Sequence, residues 1–298
     1  ALTVGAIGSH YFTVGLVDKS DIAPAASVGD DSNSKDVSLV LNYKVGAAKD
    51  KIELNQIAFV GPKILKLLQE SDKEFESLID YGMFASIARI LLIIMKWFYS
   101  SFGNWGFSII FLTLLVRLLV LPFNIVSYKS MKKMQNIQPL LQSVRERYKN
   151  DSQALNRETM NLMKEHKVNP VGGCLPMLLQ MPIFFALYQV FGQSIELYQA
   201  PFIFWIRDLS LKDPYYVLPV LMVISMFLQQ KLTPTTMDPA QAKMMQWLPV
   251  VFGVMMISLP SGLTLYILIS TIFGVVQQHL FIKDGNKPVI SEMTKAKA

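Results

Sequence analysis

Over the first sixty residues apolar side chains alternate with polar ones, the period of strands that cover one face. Val37, Leu39, Leu41, Tyr43 and Val45 give the clearest run, and Ile57 and Phe59 mark another short strand before Gly61-Pro62. Asp18 to Lys35, rich in Asp, Ser, Ala and Gly, reads as a long loop between them. So small a sheet leaves open edges and a half-covered face, so residues 1–82 read as the carboxyl-terminal part of a larger β domain. Pro62 sits where a first helical residue would, and Ile64, Leu65, Leu67 and Leu68 continue as a short helix.

The period then lengthens. Met83 to Phe102 is apolar, yet Ser86, Arg89, Lys96 and Ser100 fall on a single helical stripe, with Trp97, Phe98 and Tyr99 nearby. That pattern favours an amphipathic helix over 83–102, lying in the membrane interface, over a spanning one. The remaining apolar segments give five spans, near 105–122, 170–191, 215–231, 244–259 and 263–282. Between the first two, Met131, Met134, Ile137, Leu141, Val144 and Tyr148 recur at helical spacing. Lys149 to Ser152 then offers a turn and an N-cap, and Leu155, Leu162, Met163 and His166 mark a returning helix. Residues 124–168 therefore read as an antiparallel helical hairpin, and the fold class as an α-helical polytopic membrane protein with a partial β domain in front.

Composition agrees: of 298 residues 52% are hydrophobic and only 17% charged, and the mean hydropathy is +0.35, too apolar for an ordinary soluble domain. Charge sets the orientation. The segment 124–168 carries nine basic residues against four acidic ones, while residues 1–82 carry eight against twelve. Basic loops stay cytoplasmic, so the amino-terminal part is expected outside and the tail 284–298 inside. No signal-peptide pattern comes after Ala1, so the chain is expected either to be processed or to begin inside a longer protein, and truncation is the favoured reading.

The first span, WGFSIIFLTLLVRLLVLP, carries Arg117. An arginine stays protonated inside proteins and is costly in hydrocarbon, and no Asp or Glu lies in any of the five spans. Arg117 is thus expected to face water or an acidic partner within the membrane. The fourth span has about sixteen residues, roughly 24 Å of helix where the hydrocarbon needs about 30 Å, which implies tilting or local thinning of the bilayer.

NWGFSII before the membrane arginine, the basic hairpin, VNPVGGCLPMLLQMPIFFALY, APFIFWIRDLSLKDPYYVLP and LPSGLTLY together resemble the YidC-type membrane protein insertases of the bacterial inner membrane. The resemblance covers Asp80 to about Lys283. The part before it, with HYF at 10–12, resembles the end of the periplasmic β domain of the Gram-negative members, in which a further span and the rest of that domain come first. The resemblance implies five core spans around a groove open to the cytoplasm and to lipid. Arg117 would attract the short acidic extracytoplasmic tail of an incoming protein, whose hydrophobic segment slides out along the second and fourth spans. Tyr266 matches an aromatic of the family's PSG segment, while Ile267 stands where some members carry a second tyrosine. Expected partners are nascent membrane proteins with such tails, the lipid bilayer, the Sec translocon and the ribosome, with no nucleic-acid substrate.

Thr113, one turn before Arg117, and Gln180 in the second span are candidates to line the same cavity; the competing reading is that either back-bonds to its own helix or caps a kink. On the hairpin Lys129, Lys132, Lys133, Arg145 and Arg147 would form the reception surface. His10, His166 and His279 are scattered and Cys174 is the lone cysteine, so no metal cluster, Cys/His nucleophile or phosphate loop points to an enzyme, and no cofactor is implied. The alternative is a small-anion transporter with Arg117 as its anion site, for which a large basic hairpin has no evident use.

Overall fold

The computed structural model describes residues 4–22, 24–31, 36–44, 51, 53–168, 175–232 and 239–283. They divide into two compact units, Ala1–Leu92 with Ala186–Tyr198, and Ile93–Phe185 with Gln199–Ala298.

The first unit opens with β1 (Val4–Gly8), β2 (Phe12–Asp18) and, later in the chain, β5 (Gln56–Pro62), forming an antiparallel sheet in the order β1-β2-β5. β2 is central, with Val4 opposite Val17 and Val14 opposite Val60. β3 (Ala25–Asp31) and β4 (Asp36–Asn42) pair separately as a hairpin, Val28 opposite Leu39. β3 corrects the reading of 18–35 as one long loop. Its sequence AASVGDD has no apolar alternation, and its extended form comes from pairing with β4. Val45, expected to end the fourth strand, lies outside the described residues. Tyr43 beyond β4 donates its hydroxyl to Asp18 at 2.6 Å and accepts from Gln56. Pro62 ends β5, opposite Phe12, rather than opening a helix; α1 begins later and covers Leu65–Ser71.

Phe75 is the plug of this unit. It sits in a 3₁₀ turn, Lys73–Leu78, whose cap Asp72 accepts from the Glu74 N–H at 3.1 Å. A Cβ on Gly15 would lie 2.9 Å from the Phe75 ring, so the glycine in β2 makes room for that ring. Lys19 hydrogen-bonds Asp72 from the end of β2 and holds its carboxyl below the usual range, helped by the Glu74 N–H.

The helix α2 (Ala85–Phe102) crosses from the first unit into the second. Ala88, Leu91, Leu92 and Met95 form its buried face, while Ile90, Ile93 and Trp97 are exposed beside the stripe of Arg89, Lys96 and Ser100. By length and hydropathy alone this helix could cross a membrane.

The second unit is helical. α3 runs unbroken from Trp105 to Asn136 through Pro122, followed by α4 (Gln138–Arg147) and α5 (Ser152–Glu165). Asn104 caps α3 by accepting from the N–H groups of Gly106 and Phe107, and Asp151 caps α5 from Gln153 and Ala154. Met134, Ile137, Leu141 and Val168 form the buried core of the hairpin, with Leu162 and Met163 packed on it. α6 (Leu175–Gln193), α7 (Val217–Leu232), α8 (Pro239–Met256) and α9 (Ser261–Lys283) stand where the other four spans were expected; residues 170–174 lie outside the described residues. α9 packs against α3 and α7, and α7 against α8.

Candidate functional site: a polar seam on the central helix

α3 and α9 run parallel in one register. Arg117 meets Ser270 and Asn124 meets Gln277, so both contacts join residues 153 positions apart. The spacing of seven along each helix repeats the same face after two turns, which brings both pairs into one seam.

At the first level the Arg117 Nε donates to the Ser270 hydroxyl at 2.7 Å, and a second guanidinium nitrogen donates to the same oxygen. One turn earlier on α9, the hydroxyl of Tyr266 accepts from the Gln180 side chain. Three helices are thereby tied at one depth: α6 through Gln180, α9 through Tyr266 and Ser270, and α3 through Arg117. Tyr266 is 1% exposed, whereas Arg117 is half-buried. Among the described residues Arg117 forms no ion pair; its charge faces hydroxyls.

Of the residues singled out from the sequence, Arg117, Gln180 and Tyr266 thus meet along α9, at two hydroxyls one turn apart. Thr113 does not join them: fully buried, it donates to the Ile109 carbonyl at 2.6 Å and closes a turn of its own helix. Ser270 was missed, although a hydroxyl one turn after Tyr266 in an apolar span is a visible signal.

The second level was missed as well. Asn124 is 2% exposed and Gln277 4%, and the Asn124 amide donates to the Gln277 carbonyl oxygen at 3.3 Å. Asn124 Oδ1, Gln277 Nε2 and the Ser127 hydroxyl are buried without a hydrogen-bond partner among the described residues.

The basic residues expected to form a reception surface divide between two helices. Lys129, Lys132 and Lys133 lie on the continuation of α3, not on a separate hairpin leg, and Arg145 and Arg147 on α4. Lys129, Lys133 and Arg147 are exposed, Lys132 and Arg145 half-buried. Arg117 and the lysines therefore share one helix, with Lys129 twelve residues, or about 18 Å, beyond the guanidinium.

A family profile described as 60Kd inner membrane protein matches residues 97–288, and one described as YidC periplasmic domain matches residues 5–94. The chain belongs to the YidC family. The membrane protein insertase YidC of Geobacter sp. (strain M21) is 45% identical over 275 residues, 92% of this chain and 51% of that protein. That of Geotalea daltonii is 53% identical over 220 residues, 74% of this chain and 42% of its own length. The chain thus spans about half the length of the YidC relatives it matches. A solved active YidC insertase with its first transmembrane domain resolved has the same fold, with a TM-score of 0.56 at 21% identity over 91% of this chain and 74% of that one. The YidC resemblance read from the motifs is confirmed, and with its apolar helices the chain is a membrane protein.

Proposed function

We propose that this chain is the core of a membrane protein insertase, which moves short acidic tails across the inner membrane and releases hydrophobic segments into lipid. The observation that carries the reading is the half-buried Arg117, held by a neutral hydroxyl and unpaired with any carboxylate among the described residues. A guanidinium left in that state offers an incoming carboxylate a partner whose attraction grows as the surroundings dry. The orphaned atoms of Asn124, Ser127 and Gln277 extend the polar seam along α3 towards the lysines, and in hydrocarbon such atoms call for water. A hydrated file reaching Arg117 from the hairpin side shortens the distance over which a polar tail must be desolvated. Gln180 and Tyr266 hold the far wall, and Thr113 stiffens the turn below Arg117.

The hairpin with Lys129, Lys132, Lys133, Arg145 and Arg147 would receive nascent chains on the cytoplasmic side, alongside the ribosome and the Sec translocon. In this arrangement α2 lies in the interface and the five helices α3, α6, α7, α8 and α9 cross.

The test uses the protein in liposomes with a single-span client whose acidic tail becomes protease-protected only after crossing. Arg117→Ala is expected to lower protection about tenfold for the acidic tail, equivalent to about 1.4 kcal/mol, and little for a neutralised tail, while Arg117→Lys is milder. Equal protection with and without the protein would overturn the reading and turn attention to anion flux.

A further inference from the structure

The segment Gln199–Tyr216, between α6 and α7, contains no long helix, yet it is tightly built. Leu209 N–H donates to the Ala200 carbonyl and Phe202 N–H to Ile206, while Ser261 and Gly262, at the start of α9, donate their N–H groups to Leu211 and Leu209. Asn104, the cap of α3, reaches the carbonyls of Pro201 and Phe202. Asp213 is 3% exposed and accepts from the Trp205 indole and from the N–H groups of Tyr215 and Leu218. Asp208 accepts from both the N–H and the hydroxyl of Ser210. The acids of this segment are thus occupied by internal hydrogen bonds.

What it shows outwards is different. Phe204 is 85% exposed and Tyr215 70%, with Ile203, Leu211 and Tyr216 also exposed. Phe204 and Tyr216 have φ of +54° and +58°, a backbone region that bulky residues enter at a cost and keep only where the surroundings impose it. The frame therefore holds both aromatic residues against their backbone preference, with the Phe204 side chain outside the fold. The exposed charges beside them, Arg207 and Lys212, are both cations and form no ion pair among the described residues.

Exposed apolar and aromatic side chains sharing one short segment with two cations that form no ion pair among the described residues, at the ends of three membrane helices, match one environment: the boundary of phosphates and acyl chains. We propose that Gln199–Tyr216 is a lipid-binding plate seated in the headgroup layer of the outer leaflet, with Phe204, Leu211 and Tyr215 below the phosphates and Arg207 and Lys212 on the phosphates of anionic phospholipid. Cations without carboxylate partners complement phosphodiester charge, whereas the internally satisfied acids do not oppose it. The plate also sets a depth. It grips α3 at Asn104, and Arg117 lies twelve residues from Trp105, about 18 Å along the helix, so seating the plate fixes how deep the guanidinium sits.

The test places single cysteines at Phe204 and Leu211 in a Cys174→Ala background, labels them with a nitroxide and reconstitutes the chain in phosphatidylethanolamine vesicles with and without phosphatidylglycerol. Collisions with oxygen are expected to exceed those with a water-soluble nickel chelate at both sites. Removing phosphatidylglycerol, or combining Arg207→Gln with Lys212→Gln, is expected to raise nickel access severalfold. Free nickel access in every lipid would overturn the proposal, because the plate would then face water. Shielding from both reagents would overturn it in favour of a protein contact, and nickel access indifferent to phosphatidylglycerol would overturn the phosphate recognition. Because the readout is depth, it stands or falls independently of insertion activity.

Discussion

Arg117 shows how a charge is kept in an apolar helix without being neutralised. Ser270 orients the guanidinium through two of its nitrogens but carries no charge to cancel it, so the group is positioned and still hungry for an anion. Two turns on, the amides of Asn124 and Gln277 use one donor and one acceptor on each other and leave one of each over; exchanging oxygen and nitrogen in both amides leaves the same balance. Asn124→Leu alone or Gln277→Leu alone is expected to cost about 1–3 kcal/mol by stranding the other amide, and the double change less than the sum. Thermal unfolding in detergent, arranged as a double-mutant cycle, measures that coupling. Outside the membrane, Asp72 has its folded pKa depressed by Lys19, so its contribution to stability is present above the unfolded carboxylate value of about 4 and is lost as pH falls below it through the folded pKa. Hydrogen exchange of β2 amides should therefore quicken below pH about 4 in the native chain, with a flatter response in Lys19→Gln.

At the scale of elements the close approaches are made by glycine. A Cβ on Gly106 would lie 1.9 Å from the Phe202 ring, and that ring is held by the edge of Phe107, 5.5 Å away between centroids. Gly106→Ala is expected to destabilise by about 1–3 kcal/mol through overpacking and to loosen Gln199–Tyr216, which the melting temperature and protease sensitivity of that segment would report. The sequence was most legible where one period dominates: α3, α7, α9 and the hairpin stripe all announce themselves through apolar spacing. It was least legible where pairing or packing decides. β3 has no alternation of its own, Pro62 fits a strand end as well as a helix start, and Asn124 and Gln277 are polar residues whose meaning depends on a partner 153 positions away. Arg117 could be found because a lone charge in an apolar run has no ordinary explanation; Ser270 could not be ranked above other hydroxyls until α3 and α9 were seen side by side.

At the scale of the whole molecule, parallel α3 and α9 require an even number of membrane crossings to return the chain from one to the start of the other's direction, counted from the end of the first to the end of the second. The crossings α6, α7, α8 and α9 meet that condition if all four span. Single cysteines at Ser77 and at Lys212 are expected to react with an impermeant maleimide from the periplasmic side and one at Lys149 only from the cytoplasm. Reaction of Ser77 and Lys149 from the same side would refute the five-crossing arrangement. α3 has a consequence of a different kind. The plate contact at Asn104, the guanidinium at 117 and the lysines from 129 onwards lie along a single uninterrupted screw, so their angular phase is set by residue count alone. Adding one residue between Arg117 and Lys129 would swing Lys129, Lys132 and Lys133 by about 100° relative to the guanidinium while changing no local chemistry at either place. This stretch of helix keeps time for the residues at its two ends.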